Sequence, residues 1–284
     1  MKTIDINGVQ HIYQLTRPVS TSPTLVFIHG WLLSRHYWQP VIESLSSNYQ
    51  CLSYDLRGFG QSQLPQNQTS SQEDYTPSAY AEDVVMLLEK LNLSSVWLVG
   101  HSLGGTIALL AAQKQPQKVQ GVVCVNAGGG IYLEAEFKRF RSAGEQIVKF
   151  RPSWLSRIPG LDILFTRTQV SRPLQRPWGR QRIVDFIAAH PDAALKTLLD
   201  STTEAEVKRL PQVVSQLQQP VYFLAGLQDK IMELQYVYHL AQFHGLSQQG
   251  KDNVIEIPNC GHFAMLEQTM AVVTHLQKIV SSQY

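Results

Sequence analysis

Apolar positions along the 284-residue chain follow two periodicities that alternate from one end to the other. Short continuous runs rich in β-branched residues read as strands covered on both faces, as parallel strands are. They are TLVFIHG at 24–30, CLSYD at 51–55, VWLVG at 96–100, VVCVN at 122–126, VYFLAG at 221–226 and VIEIP at 254–258. Between them lie stretches with helical spacing: Pro77–Leu91, carrying Val84, Val85, Leu87, Leu88 and Leu91, then Leu103–Gln113 and Met265–Ile279. Near the start, Thr3–Ile6 and His11–Leu15 flank Asn7-Gly8, a two-residue hairpin signal. The alternation predicts an α/β domain, a mostly parallel sheet wrapped by helices.

The pattern changes after Asn126. Residues 131–210 contain no clear strand and are rich in Arg, Pro and Trp. They hold 14 Lys and Arg against 9 Asp and Glu, or +5, which leaves −3 for the rest of a chain with a formal net charge of +2. The expected organisation is therefore a sheet core from residues 1–130 and 211–284, with 131–210 inserted as a basic, mainly helical segment.

Composition narrows the function classes. With 44% hydrophobic residues the chain can bury a sizeable core, and a charge near neutrality argues against a nucleic-acid partner. Cys51, Cys124 and Cys260 are odd in number and far apart, so neither a disulfide framework nor a zinc site is suggested. Cys51 and Cys124 read as small core hydrophobes on strands. Cys260, two residues before His262, keeps some prospect of exposure, though nothing nearby marks it as reactive. MKTIDINGVQ lacks the apolar run of a signal peptide, and IALLAA at 107–112 is far too short to span a bilayer. A reduced, cytoplasmic setting follows, so the sequons at Asn67 and Asn92 carry no weight. His239 and His244 miss the i, i+4 spacing of a helical metal pair, and no phosphate-binding glycine loop follows a strand. No metal and no cofactor is expected.

The strongest chemical signal is Gly100-His101-Ser102-Leu103-Gly104, followed by Gly105. G-x-S-x-G alone is weak; its context makes it strong. It follows the strand VWLVG and opens the helix LGGTIALLAAQ, as a nucleophile elbow requires. A sharp strand-to-helix turn strains the serine, and Gly100 and Gly104 let the backbones pass. The turn also aims the first amides of the helix at a developing anion. The plainer reading is a glycine-rich turn with a capping serine.

A serine hydroxyl needs an adjacent base, itself oriented by a carboxylate. Asp229 in AGLQD and His262 in NCGHF follow strands and come after Ser102 in the order Ser, Asp, His. Both fall at the carboxyl edge of the sheet, where open α/β folds bind ligands. Structural alternatives are a buried, satisfied histidine and an N-cap on the helix IMELQYVYHLAQF. Asp192 and Asp200 compete weakly, since neither follows a strand. Two amides are expected to form an oxyanion hole: Leu103, after the nucleophile, and Trp31, after the strand TLVFIHG. Gly30 permits the turn there and His29 braces it through hydrogen bonds, a role preferred over that of a second base.

These elements resemble the α/β-hydrolase superfamily: FIHGW at 27–31, YDLRGFGQS at 54–62, VGHSLGG at 99–105, AGLQD at 225–229 and NCGHF at 259–263. The chain is similar in style to the epoxide-hydrolase, haloalkane-dehalogenase and esterase branch, with a serine in place of the aspartate of the first two. The resemblance implies an eight-stranded sheet, a helical cap at 131–210 and a cofactor-independent hydrolase. It also implies that Asp55 and Arg57 order their loop by salt bridge and hydrogen bonds. Serine suits attack on an acyl carbonyl rather than on an epoxide or haloalkane.

The expected activity is hydrolysis of a small-molecule carboxylic ester with a bulky or apolar part, through an acyl-enzyme on Ser102. Thioesters, lactones, carbon–carbon bonds between carbonyls and peracid formation are alternatives for the same residues. A non-catalytic ligand receptor is an alternative of another class. Trp154, Trp178, Phe137, Phe140, Phe150, Phe165 and Leu155 either line a pocket or form the cap's own core. Arg139, Arg141, Arg151, Arg157, Arg167, Arg172, Arg176, Arg180 and Arg182 make either a solvated basic face or a weak, peripheral contact with an anionic membrane. Oligomeric state is not legible.

Overall fold

The computed structural model describes residues 1–19, 23–64, 75–128 and 134–282, with the backbone alone for 134–138 and 140. The side chains of Phe137 and Phe140, and the whole of the sequon residue Asn67, lie outside what is described. Eight strands form one sheet: β1 (Lys2–Ile6), β2 (Val9–Leu15), β3 (Thr24–Ile28), β4 (Cys51–Tyr54), β5 (Val96–His101), β6 (Val119–Val125), β7 (Val221–Gly226) and β8 (Val254–Ile257). Their spatial order is β1-β2-β4-β3-β5-β6-β7-β8. Asn7-Gly8 turns β1 antiparallel onto β2, with Asn7 at φ 53° and Gly8 at φ 81°. β2 meets β4 antiparallel, and every later pairing is parallel. This is the expected α/β architecture, an α/β-hydrolase fold.

Among the described residues twelve α-helices flank the sheet: α1 (Gln39–Leu45), α2 (Pro77–Lys90), α3 (Leu103–Lys114), α4 (Glu134–Lys149), α5 (Leu161–Phe165), α6 (Arg176–Ala188), α7 (Pro191–Ser201), α8 (Glu204–Gln216), α9 (Leu234–Ala241), α10 (Gly245–Gln248), α11 (Ala264–Glu267) and α12 (Thr269–Ser281). Strand alternation sorts the core into two layers. Val26, Ile28, Leu98, Val122 and Phe223 face α2, α3, α8 and α9, whereas Leu25, Phe27, Val99, Val123 and Leu224 face α1 and α12. Continuous burial of β3 and β5 is the physical origin of their unbroken apolar runs.

Two expectations need correction. Met265–Ile279 is not one helix: the chain leaves helical geometry at Gln268 (φ −135°, ψ 48°), separating α11 from α12. Cys260 is fully buried, which pushes its thiol well up and leaves it inert. The helix α1, with Pro40 in its first turn, was not legible from spacing over so short a run. Between β6 and β7 the described chain is helical throughout its regular elements, α4 to α8. α8 runs across residue 210, and its Leu210, Val213 and Val214 join the sheet's core.

Candidate active site

β5 delivers Ser102 to the carboxyl edge of the sheet, where it takes φ 52° and ψ −120° before α3 begins. A non-glycine residue there is strained, at a cost on the order of 1–3 kcal/mol, held by the packing around it. That packing leaves no room for side chains: a Cβ on Gly100 would stand 2.1 Å from Gly104 O, and one on Gly104 2.3 Å from Ile28 O. Three backbones therefore meet at van der Waals limits. Ser102 is half-buried, and its hydroxyl makes no hydrogen bond among the described residues.

The β7 and β8 loops bring the other two predicted residues together. Asp229 Oδ2 lies 2.8 Å from His262 Nδ1. A carboxylate only accepts, so Nδ1–H donates to Asp229, which in the neutral ring leaves Nε2 as the acceptor. The Ile231 and Met232 amides donate to Asp229 Oδ1 at 2.8 and 3.0 Å. Burial works to raise the Asp229 carboxyl, but the His262 imidazole and these amides outweigh it, and the group is held below the usual carboxylate range. Asp229 thus closes a short turn rather than capping α9, whose N-cap is Glu233.

Several residues that sequence reasoning passed over pin this pair. Asn126, at φ 49° just past β6, donates to Asp229 Oδ2 (2.9 Å) and Gly261 O (3.0 Å). Glu267 accepts from the Gly261, Phe263 and Ser171 amides at 2.9, 3.0 and 2.6 Å, folding the His262 loop around one carboxylate. The signal for Asn126 was a polar residue ending an apolar strand. Glu267 had none beyond its closeness to His262.

His101 Nε2–H donates to His262 O (2.7 Å), while its buried Nδ1 has no partner. Burial, with the neighbouring His262 ring adding to it, pulls the His101 imidazole down to about 3. Because the unfolded imidazole takes up its proton near 6.5, stability is full above that pH. It declines as pH falls toward about 3, where folded His101 itself protonates. Urea unfolding is expected to give a His101 contribution near 1.4 kcal/mol per pH unit within that window. His101→Gln, which keeps an N–H donor, should flatten the slope; an unchanged slope would refute the assignment.

On the opposite side of Ser102, the β3 loop approaches closely. A Cβ on Gly30 would lie 3.2 Å from Ser102 Cβ. His29 is fully buried; Leu56 N–H donates to its Nε2 (2.9 Å), so its Nδ1–H donates to Gly30 O (2.8 Å). Its two nitrogens are spent on bracing. The Trp31 indole N–H donates to Ala194 O of α7 (2.8 Å), and Ser34 donates to Asp185 of α6 (2.9 Å). Leu32 sits at φ 58°, a further strained position in this loop. Leu103, as the first residue of α3, has an amide without an intrahelical acceptor.

Away from the cavity, Asp55 and Arg57 order their loop through partners elsewhere. Asp55 pairs with Arg35 and accepts the Arg35 and Gln61 amides at 2.7 and 2.9 Å; Arg57 Nε donates to Asp83 at 3.1 Å.

Ser102, His262, Leu103 and Trp31 line one cavity of about 670 Å³. Its roof is apolar, with Ile147, Phe150, Phe165 and Phe186 from the inserted segment. Of the aromatic residues expected either to line a pocket or to form the cap's core, Phe150 and Phe165 line it, whereas Trp178 packs against Tyr37 with ring centroids 5.9 Å apart. Leu155 is half-buried outside the lining, and Trp154 faces outward. Arg182 is buried at the cavity wall, bonded to Phe165 O (2.6 Å), Thr168 O (2.8 Å) and Gln169 Oε1 (3.1 Å), over the Phe263 ring at 4.5 Å. Among the described residues no cluster could hold a metal.

A family model described as the alpha/beta hydrolase fold matches residues 23–269. The chain belongs to this family. As an α/β hydrolase it is similar over 264 residues, at 28% identity, to 2-succinyl-6-hydroxy-2,4-cyclohexadiene-1-carboxylate synthase of Salmonella typhimurium, covering 91% of this chain and 94% of that protein. It is 23% identical over 290 residues to the chloroplastic protein PHYLLO of Arabidopsis thaliana, which covers 98% of this chain but only 16% of PHYLLO's length. Among solved structures, a putative lipase from Acinetobacter baumannii superposes with a TM-score of 0.80 at 22% identity, over 100% of this chain and 92% of that one. This α/β hydrolase therefore shares its fold with lipase-type proteins.

Proposed function

We propose that the protein is a serine hydrolase that cleaves carboxylic esters through an acyl-enzyme on Ser102. The observation that carries this reading is the strained Ser102 sharing one cavity with a His262 ring whose Nδ1 is held by Asp229 at 2.8 Å. His262 Nε2 takes the Ser102 proton as Oγ attacks the carbonyl, and Asp229 stabilises the imidazolium. The amides of Leu103 and Trp31 receive the oxyanion, and the proton passes to the leaving alcohol. Water then repeats the sequence on the acyl-enzyme. The apolar roof favours a substrate with a bulky hydrocarbon part.

A second reading is favoured by Arg182 and by the name of the Salmonella relative, whose compound bears succinyl and carboxylate groups. Two of the Arg182 N–H groups, on Nε and Nη2, are not used by the bonds to Phe165, Thr168 and Gln169. In this reading the ester substrate bears a carboxylate that accepts from those N–H groups, and Ser102 and His262 act on its ester as in the first reading.

One experiment addresses both readings. Fluorophosphonate labelling is expected at Ser102, and turnover is measured on an ester panel pairing each neutral ester with its carboxylate-bearing analogue. Labelling with turnover of neutral apolar esters supports the first reading. A preference for the carboxylate analogues of about tenfold or more supports the second. No labelling and no turnover would leave the fold as a receptor and overturn both.

A further inference from the structure

The inserted segment presents a surface that its own fold leaves uncovered. Most large apolar side chains that stand exposed among the described residues lie there, including Phe150 (67% exposed), Leu164 (57%), Val184 (53%), Ile147 (50%), Trp154 (50%) and Ile163 (44%). Phe150 and Trp154 pack edge to face, with ring centroids 6.4 Å apart, and both remain open to solvent. Soluble surfaces expose single apolar residues freely, but such a concentration marks an interaction site.

The charge in the same stretch is one-sided. Residues 146–184 contain eight Lys and Arg and a single acid, Asp162. That acid is buried and is held by Arg176 (2.6 Å) and Arg180 (3.1 Å), so this stretch offers no exposed carboxylate. Arg151 and Arg182 are spent internally on backbone carbonyls. Arg157, Arg167 and Arg172 are exposed and meet no carboxylate among the described residues.

The apolar face also continues into the cavity. Ile147 and Phe150 are solvent-exposed and also belong to the lining of the cavity that Ser102 borders. Exposed arginines, exposed aromatic residues and two apolar residues of the cavity lining thus fall within one stretch of the chain.

We propose that this face of the insertion docks on an anionic lipid bilayer. Phe150 and Trp154 enter the headgroup region while Arg157, Arg167 and Arg172 face lipid phosphates, which sets the mouth of the cavity against the membrane. A soluble anion would account for the arginines but not for the exposed rings. An acidic protein would satisfy the charge, yet it would seal the entrance; a bilayer can feed it with apolar esters. That last consequence rests on the proposed ester hydrolysis, whereas the docking itself does not.

The test is vesicle flotation of the full chain carrying Ser102→Ala, which removes turnover from the measurement. Vesicles of phosphatidylcholine alone are compared with vesicles containing phosphatidylglycerol, at low and high salt. Binding is expected only with phosphatidylglycerol, and it should be lost near 1 M salt, where the screening length falls to about 3 Å. Trp154→Ser and the pair Arg157→Glu/Arg167→Glu should each weaken partitioning on the order of tenfold. In the Ser102 protein the same substitutions should leave hydrolysis of a short, water-soluble ester unchanged. Absence of binding, equal binding to neutral vesicles, or binding indifferent to these substitutions would overturn the proposal. Capture by polyglutamate without vesicle binding would overturn it too, and would assign the face to an acidic protein.

Discussion

Ser102→Ala is expected to lower kcat on the order of 10³-fold or more while leaving the thermal midpoint at or slightly above that of the parent. The two halves of this outcome have separate origins. Loss of Oγ removes the group that His262 would activate, and only the amide donors and substrate binding remain to lower the barrier. Stability should survive because the hydroxyl makes no hydrogen bond among the described residues and the backbone strain at φ 52° belongs to the turn, not to the side chain. Kinetics on a p-nitrophenyl ester beside a calorimetric scan read both quantities. Turnover near that of the parent would remove Ser102 from the chemistry; a large fall in the midpoint would mean that lost activity reports unfolding instead.

Gly100→Ala should be among the most damaging single-methyl additions to the sheet core. Its Cβ would stand 2.1 Å from Gly104 O, 2.3 Å from Gly104 C and 2.5 Å from Gly105 N, all backbone atoms that cannot swing aside. Relief requires β5 and α3 to part, at an expected cost of about 3 kcal/mol or more. For a domain of this size that corresponds to a midpoint lowered by roughly 5–10 °C. Gly8→Ala is the comparison: the hairpin glycine has φ 81° and nothing within 4 Å of a Cβ, so only conformational strain of about 1–2 kcal/mol applies. Equal losses for the two variants would show that crowding at the elbow is not what demands glycine.

Much of the core was legible because burial on both faces leaves an unmistakable apolar run. The strands β3, β5 and β7 fall within a residue or two of where TLVFIHG, VWLVG and VYFLAG place them, and Asn7-Gly8 makes its hairpin. Helix ends read less well. Gln268 interrupts the C-terminal helix without a proline or glycine to announce it, so Met265–Ile279 looks continuous by spacing alone. Ser102, Asp229 and His262 were readable because each follows a strand whose end the parallel topology sends to one edge. Asn126 and Glu267 were not, because their importance lies in which amides and carboxylates the folded chain brings to them. The same holds for the arginines of the insertion. Sequence shows a basic segment; only the fold separates Arg151 and Arg182, consumed by carbonyls, from Arg157, Arg167 and Arg172 on the outside.

The two tethers from Trp31 to Ala194 and from Ser34 to Asp185 tie the segment after β3 to α7 and α6. Lifting those helices to widen the entrance would load both tethers, one of which ends on the Trp31 side chain in the cavity lining. Room for a large guest is thereby coupled to the segment that borders Ser102.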